Sequence, residues 1–125
     1  MPDTGWTSAQ LAELTAAEEL VLVLHRDGRE TLRVPVWLVV VDGTLFVRSY
    51  KGVTSLWFRR VQADADQAIV LKSGDLLVHF ENVERLDHVN RAIDAEFNRK
   101  YGSDAYVSAM STPAAVEATL RIQPR

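Results

Sequence analysis

Two Asp-Gly dipeptides, Asp27-Gly28 and Asp42-Gly43, each separate runs of β-branched and aliphatic residues, and they constrain the fold more than any other feature of the chain. A two-residue loop between antiparallel strands needs positive φ at both central positions, which Asp and Gly tolerate. The spacing therefore predicts three consecutive antiparallel strands: Leu20–Arg26, Arg29–Val41 and Thr44–Tyr50. "SGD" (Ser73–Asp75) reads as a third hairpin turn, joining Ala68–Lys72 to Leu76–Glu81, and "EATLRIQPR" alternates like a last strand. Helices are expected near the N-terminus, capped by Thr7 or Ser8 with Leu11 and Leu14 on one face, and over Ser55–Ala63. A third covers "DHVNRAIDAEFNRKYG", with Val89, Ile93 and Phe97 on one face and Gly102 placed to stop it. Ser103–Ala115 carries no clear pattern. Six short strands with two or three helices predict a mainly β (α+β) chain, built as a small antiparallel barrel in a single domain, 1–125.

The loops also predict a register. With Asp42-Gly43 as the turn, Val41 faces Thr44, Val39 faces Phe46, Trp37 faces Arg48 and Pro35 faces Tyr50. On the opposite surface Val40 meets Leu45, Leu38 meets Val47, Val36 meets Ser49 and Val34 meets Lys51. The second surface is barrel core. The first is apolar too, and a sheet apolar on both faces must be covered on both; the expected cover is a second subunit, hence a homodimer. The first Asp-Gly loop pairs Leu22 with Arg33, Leu24 with Thr31 and Arg26 with Arg29, which places Arg33 on the outward surface with Trp37, Arg48 and Tyr50. Flat aromatics beside guanidinium groups suit a planar, anionic ligand.

Past Tyr50 and Lys51 the chain runs through Gly52, Val53 and Thr54 to a hydroxyl-capped helix start at Ser55. Arg48, Ser49 and Lys51 at a strand end, with glycine and a helix N-terminus beyond, form a candidate phosphate cradle. The alternative is a ligand-free arrangement in which Arg48 makes a cation–π pair with Trp37 and Ser49 and Lys51 are polar residues at a strand end.

Composition narrows the function. The net charge of −3 supplies no general basic field for nucleic acid. The absence of cysteine excludes disulfides and thiolate chemistry. His25, His79 and His88 lack metal-ligand spacing, so no metal site is expected, although His79 could reach a groove. Asp64 and Asp66 read as loop carboxylates, Arg59 and Arg60 as the solvated face of a helix, and Glu81, Glu84 and Asp87 as solvent-facing charge near a cap. No Ser/His/Asp arrangement is apparent, and no catalytic side chain is expected. The N-terminal segment lacks a signal-peptide pattern and the longest apolar runs are too short for a bilayer, so a cytoplasmic protein with no membrane contact is expected.

The segment "DGRETLRVPVWLVVVDGTLFVRSYKGVTSLWFRRV" (27–61) resembles the split-barrel flavoprotein superfamily that includes pyridoxamine phosphate oxidase and the deazaflavin-dependent nitroreductases. Val34–Val39, Phe46–Gly52, Trp57–Arg59 and Ile122–Arg125 look most like the "TPVWFV", "YVRSYRG", "WYR" and "L-x-P-R" segments of an uncharacterised bacterial group in it. The resemblance implies a six-stranded antiparallel split β-barrel of the FMN-binding type, homodimeric, with flavin sites between the subunits. It makes Arg33 similar to the strand-two phosphate arginine and Ser49 and Lys51 similar to the strand-three hydroxyl and cation. Arg48 and Tyr50 flank them, Pro35, Val36 and Trp37 run beside the flavin ring, and Trp57 stands on the adjoining helix. The implied cofactor is FMN or deazaflavin, and the implied activity is reduction of a small flat substrate, the cofactor carrying the hydride chemistry. "HRDGRE" stands where the nitroreductases carry lysines, and the oxidase's later Gln and Trp…Arg pair have no clear counterpart, which argues against pyridoxamine phosphate as substrate. A non-catalytic module holding a flavin, heme or other flat ligand, or a dimeric scaffold that has lost its ligand, is compatible with the same residues.

Overall fold

The structure is a computed structural model and describes residues 5–26, 28–83 and 87–125. The elements follow in the order α1 (Ser8–Ala16), β1 (Leu20–Arg26), β2 (Arg29–Val36), β3 (Leu38–Val41), β4 (Thr44–Arg48), α2 (Leu56–Ala63), β5 (Asp66–Leu71), β6 (Gly74–Asn82), α3 (Asp87–Tyr101), α4 (Pro113–Glu117) and β7 (Thr119–Pro124). Short 3-10 turns cover Gly52–Thr54 and Val107–Ser111. Asp27 and Glu84 lie outside the described residues, so the first turn's aspartate and the expected cap charge at Glu84 are not placed. Among the described residues no helix is long and apolar enough to cross a membrane.

The seven strands of the described residues form one antiparallel sheet in the order β2-β1-β5-β6-β7-β4-β3. The count is seven rather than the expected six because the run Arg29–Val41 is two strands, divided at Trp37. This division explains the architecture. β2 and β3 are the two edges of the sheet, yet one residue joins them, so the sheet must curl until its edges meet. A curled antiparallel sheet with helices against it is a split β-barrel.

The inner face is a single core of Leu20, Leu22, Leu24, Leu38, Leu45, Val47, Ile69, Val78, Phe80, Leu120 and Ile122, closed by Phe58 and Val61 of α2. Thr7 caps α1 through a capping box with Gln10, and Ser55 caps α2 by accepting from the Phe58 N–H.

The β3–β4 hairpin has the expected register from Val41↔Thr44 to Leu38↔Val47. Asp42 and Gly43 both have positive φ, at 50° and 75°. The β1–β2 hairpin departs from expectation. Arg26 pairs with Arg29, but a shift between Leu24 and Arg26 then sets Leu24 opposite Leu32, Val23 opposite Arg33 and Leu22 opposite Val34. The physical reason is burial: Leu22 and Leu24 face the core, so the expected pairing would have set Arg33 and Thr31 against the core rather than on the outward surface, whereas the bulge at His25 brings Leu32 and Val34 there instead and keeps Arg33 exposed. Buried Gln67 satisfies the displaced backbone, accepting from the His25 N–H at 2.8 Å and donating to the His25 carbonyl at 3.1 Å.

The outward wall is also covered differently from expectation. Val39 and Phe46 are buried under the chain's own helix α3, against Ile93, Phe97 and Tyr101, with Met110 completing the cluster and Trp37 packed at its edge. A second subunit is therefore not what covers this part of the sheet.

Candidate functional site

A cavity of about 810 Å3 opens between the β2–β3 break, the end of β4, the start of α2 and the segment around Val107–Ser111. Of the nine residues singled out from the sequence, Pro35, Val36, Trp37, Arg48, Ser49, Tyr50, Lys51 and Trp57 line it. Arg33 does not. The bulge leaves it exposed on the outer face of β2, away from the cavity lining.

The strand end after β4 is built by local hydrogen bonds. The Ser49 carbonyl accepts from the Gly52 N–H at 2.9 Å, and Ser49 Oγ lies 2.8 Å from Ser55 Oγ. Gly52 has φ of +77°, and a Cβ there would sit 3.3 Å from the Ala114 Cβ, so only glycine fits without strain. The resulting turn projects exposed Lys51, whose Nζ lies 5.8 Å from the centre of the Tyr50 ring. Among the described residues no carboxylate stands within ion-pair distance of Lys51, so its charge is available to the cavity.

Arg48 has a different role from the one expected. It is 1% exposed, and each of its five N–H groups has an acceptor. Nε donates to Thr119 Oγ1 at 2.9 Å, and Nη1 donates to the Asp94 carboxylate and, at 3.0 Å, to the Met110 carbonyl. Nη2 donates to Asn90 Oδ1 at 3.0 Å and to the Asn90 carbonyl at 3.4 Å. Its cation–π partner is Phe97, 5.7 Å from the guanidinium, not Trp37. No donor remains for a ligand phosphate; Arg48 ties α3 and the Met110 segment to the sheet.

Trp37 instead stacks on Tyr101, with ring centroids 4.2 Å apart and planes 3° from parallel. Tyr101 is buried, and that burial pushes its phenol pKa up to about 12. Neighbouring Lys100 donates to the Leu38 carbonyl at 3.1 Å, and partial burial draws its pKa below the usual lysine value.

The segment that sequence patterning left open supplies Tyr106, Ala109 and Met110 to the cavity wall. Its readable signal was "STP": Thr112 caps α4 by accepting from the Ala115 N–H, with Pro113 in the first turn.

Other candidates lie elsewhere. His79 Nδ1 is 2.8 Å from Asp66 Oδ1 on the outer face, and this bond holds the Asp66 carboxyl below its ordinary value. His25 Nδ1 is 3.0 Å from Thr31 Oγ1. Arg59 is exposed, but Arg60, expected on the same solvated face, is buried and donates to the Leu24 and Glu30 carbonyls. Among the described residues no group of three or more His, Asp or Glu side chains is placed to hold a metal.

Three solved structures place the fold among known proteins. The conserved hypothetical protein Rv2991 of Mycobacterium tuberculosis has a TM-score of 0.73 at 14% identity, over 100% of this chain and 84% of that one. HutZ, the heme storage protein of Vibrio cholerae, has 0.69 at 13%, over 94% and 89%. An FAD-binding protein of Mesorhizobium loti has 0.64 at 14%, over 96% and 91%. The chain thus shares the fold of these proteins, one of them FAD-binding and one a heme storage protein. No curated protein matches the sequence. The model of the family described as "Uncharacterized protein conserved in bacteria (DUF2255)" matches residues 10–122, and the chain belongs to that family.

Proposed function

We propose that the cavity binds a flavin-type ligand, FMN or a deazaflavin, and that the protein is a reductase of a small flat substrate. The observation that carries this reading is the composition of the cavity: Trp37, Tyr50 and Trp57 offer flat apolar surface, and its lining also holds Lys51, without an ion-pair partner among the described residues, and the hydroxyl-bearing Ser49, Thr54 and Ser55. A ring system with a phosphate-bearing tail needs both, and the volume falls in the usual range for such ligands. Pro35 and Val36 would bring backbone alongside the ring, and Lys51 would face the anionic end. A bound flavin supplies hydride transfer, so the chain's own residues need only bind, orient and exclude water. The lining fits that division, since its charged side chains are Glu19, Lys51 and the saturated Arg48.

The reading includes a homodimer. Tyr50, Leu56 and Tyr106 are 56%, 52% and 77% exposed and all border the cavity. An apolar rim of this kind around an open groove is what a second copy would cover. A second reading, a binding module without turnover, is favoured by the similarity to a heme storage protein.

Titration of purified protein with FMN, FAD, a deazaflavin and heme, followed by absorption, tests the reading. Micromolar binding of a flavin or deazaflavin is expected, weakened roughly tenfold by Lys51→Ala through loss of a charge-assisted contact. Reoxidation of the bound, reduced cofactor by flat acceptors would identify the reductase, and heme binding alone the storage module. Failure of all four ligands to bind would remove the proposal.

A further inference from the structure

Trp37 occupies an unusual place. The β1–β2 ladder ends at Val36 and the β3–β4 ladder begins at Leu38, so strand pairing does not fix the residue between them. The end of α3 holds it instead. The Tyr101 ring covers one face of the indole. The Tyr101 hydroxyl accepts from the Leu38 N–H at 3.1 Å and lies 2.9 Å from the Glu18 carbonyl and 3.0 Å from the Leu38 carbonyl, to one of which it donates. Lys100 Nζ donates to that same Leu38 carbonyl and, at 3.5 Å, to the Leu14 carbonyl. Two consecutive residues of α3 thus clamp the backbone next to Trp37 and the chain end of α1. Trp37 lines both the large cavity and a smaller neighbour of about 270 Å3, and Tyr101 lines the smaller one.

We propose that the indole face turned away from Tyr101 is the stacking surface for the ligand's ring, and that Tyr101, backed by Lys100, is a positioning residue that sets it. This inference rests on the flavin-type reading above. An aromatic platform held before the ligand arrives loses little freedom on binding, which is how a supporting side chain that never touches the ligand governs affinity. It also makes α3, rather than the barrel alone, a determinant of which rings fit.

The test follows affinity and bound-state emission together, using FMN, or a deazaflavin if only that binds. An indole stacked on either ring quenches its emission by electron transfer, so the wild-type complex should be dark. Trp37→Leu should weaken binding tenfold or more and leave the remaining bound cofactor emissive. Tyr101→Leu should do the same in part, and Tyr101→Phe, which keeps the ring and loses the hydroxyl, should weaken binding about threefold with emission still quenched. Circular dichroism and melting establish that each variant is folded. If Tyr101→Leu does not fold, Tyr101→Phe and Lys100→Met carry the test, and unchanged affinity in both would overturn the positioning role. Unchanged affinity in Trp37→Leu, or emission restored by Trp57→Leu and not by Trp37→Leu, would overturn the stacking role while leaving the cofactor reading intact. A wild-type protein that binds neither cofactor would instead bring down that reading, and this inference with it.

Discussion

Removing the Arg48 guanidinium should cost the fold far more than it costs ligand binding. Arg48→Met keeps most of the apolar stem and deletes five donors at once. The acceptors left behind are the Asp94 carboxylate, the Met110 carbonyl, the carbonyl and amide oxygens of Asn90 and the Thr119 hydroxyl. Breaking a buried ion pair by deleting one partner costs about 3–5 kcal/mol. The Asp94 side chain is 31% exposed, so its carboxylate can regain water and the lower end of that range applies, about 3 kcal/mol. With an unfolding entropy of about 2.1 cal/mol/K per residue over 125 residues, this corresponds to a fall in Tm of roughly 11 °C. Arg48→Lys restores the charge but offers three donors in place of a planar fork of five, and should lose about half as much. Urea unfolding monitored by tryptophan fluorescence measures both variants. A loss below about 1 kcal/mol for Arg48→Met would refute the structural role. If that stable variant also bound flavin poorly, Arg48 would be the ligand arginine that the sequence first suggests.

Three further outcomes follow from the geometry. Gly52→Ala should destabilise the protein by about 1–2 kcal/mol, because φ is +77° and the new Cβ meets Ala114, and should weaken ligand binding through the displaced Lys51; melting and titration together check this. Gln67→Ala should cost about 1–3 kcal/mol in urea unfolding by leaving the bulged His25 backbone without its partner. For Tyr101, burial raises the folded phenol to about 12 from its ordinary value of 10.0, so its stabilising contribution is complete below pH 10 and disappears as pH rises through 12. Stability profiles of wild type and Tyr101→Phe should therefore converge across that alkaline interval, and parallel profiles would refute the assignment.

The parts of this fold that could be read from the sequence are those decided by neighbours along the chain. The Asp42-Gly43 turn fixes the register of β3 on β4 because its backbone conformation admits few alternatives, and Thr7 and Ser55 act as caps because a hydroxyl can reach an N–H three residues on. The β1–β2 register was lost for a non-local reason. The bulge at His25 depends on Gln67, more than forty residues away, to complete the displaced hydrogen bonds. The break at Trp37 was hidden in the same way: Val34–Val41 reads as continuous strand, and only closure of the sheet requires a residue there to pass from one edge to the other.

The candidate site divides along the same line. Its residues could be gathered from the sequence because most sit within one hairpin and the turn that follows, but their roles could not, since role depends on what α3 brings. The periodicity of Val89, Ile93 and Phe97 announces an apolar helix face without stating which surface it meets. Once α3 lies on Val39 and Phe46, Asp94 and Asn90 reach Arg48 and take it out of ligand chemistry, while Tyr101 reaches Trp37 and fixes it at the cavity. The same docking alters the case for a dimer. The apolar wall that first called for a second subunit is satisfied within the chain, so the case now rests on exposed Tyr50, Leu56 and Tyr106 around the cavity mouth. A dimer formed there would complete the binding site rather than merely bury a sheet, so dimerisation and cofactor affinity should rise and fall together.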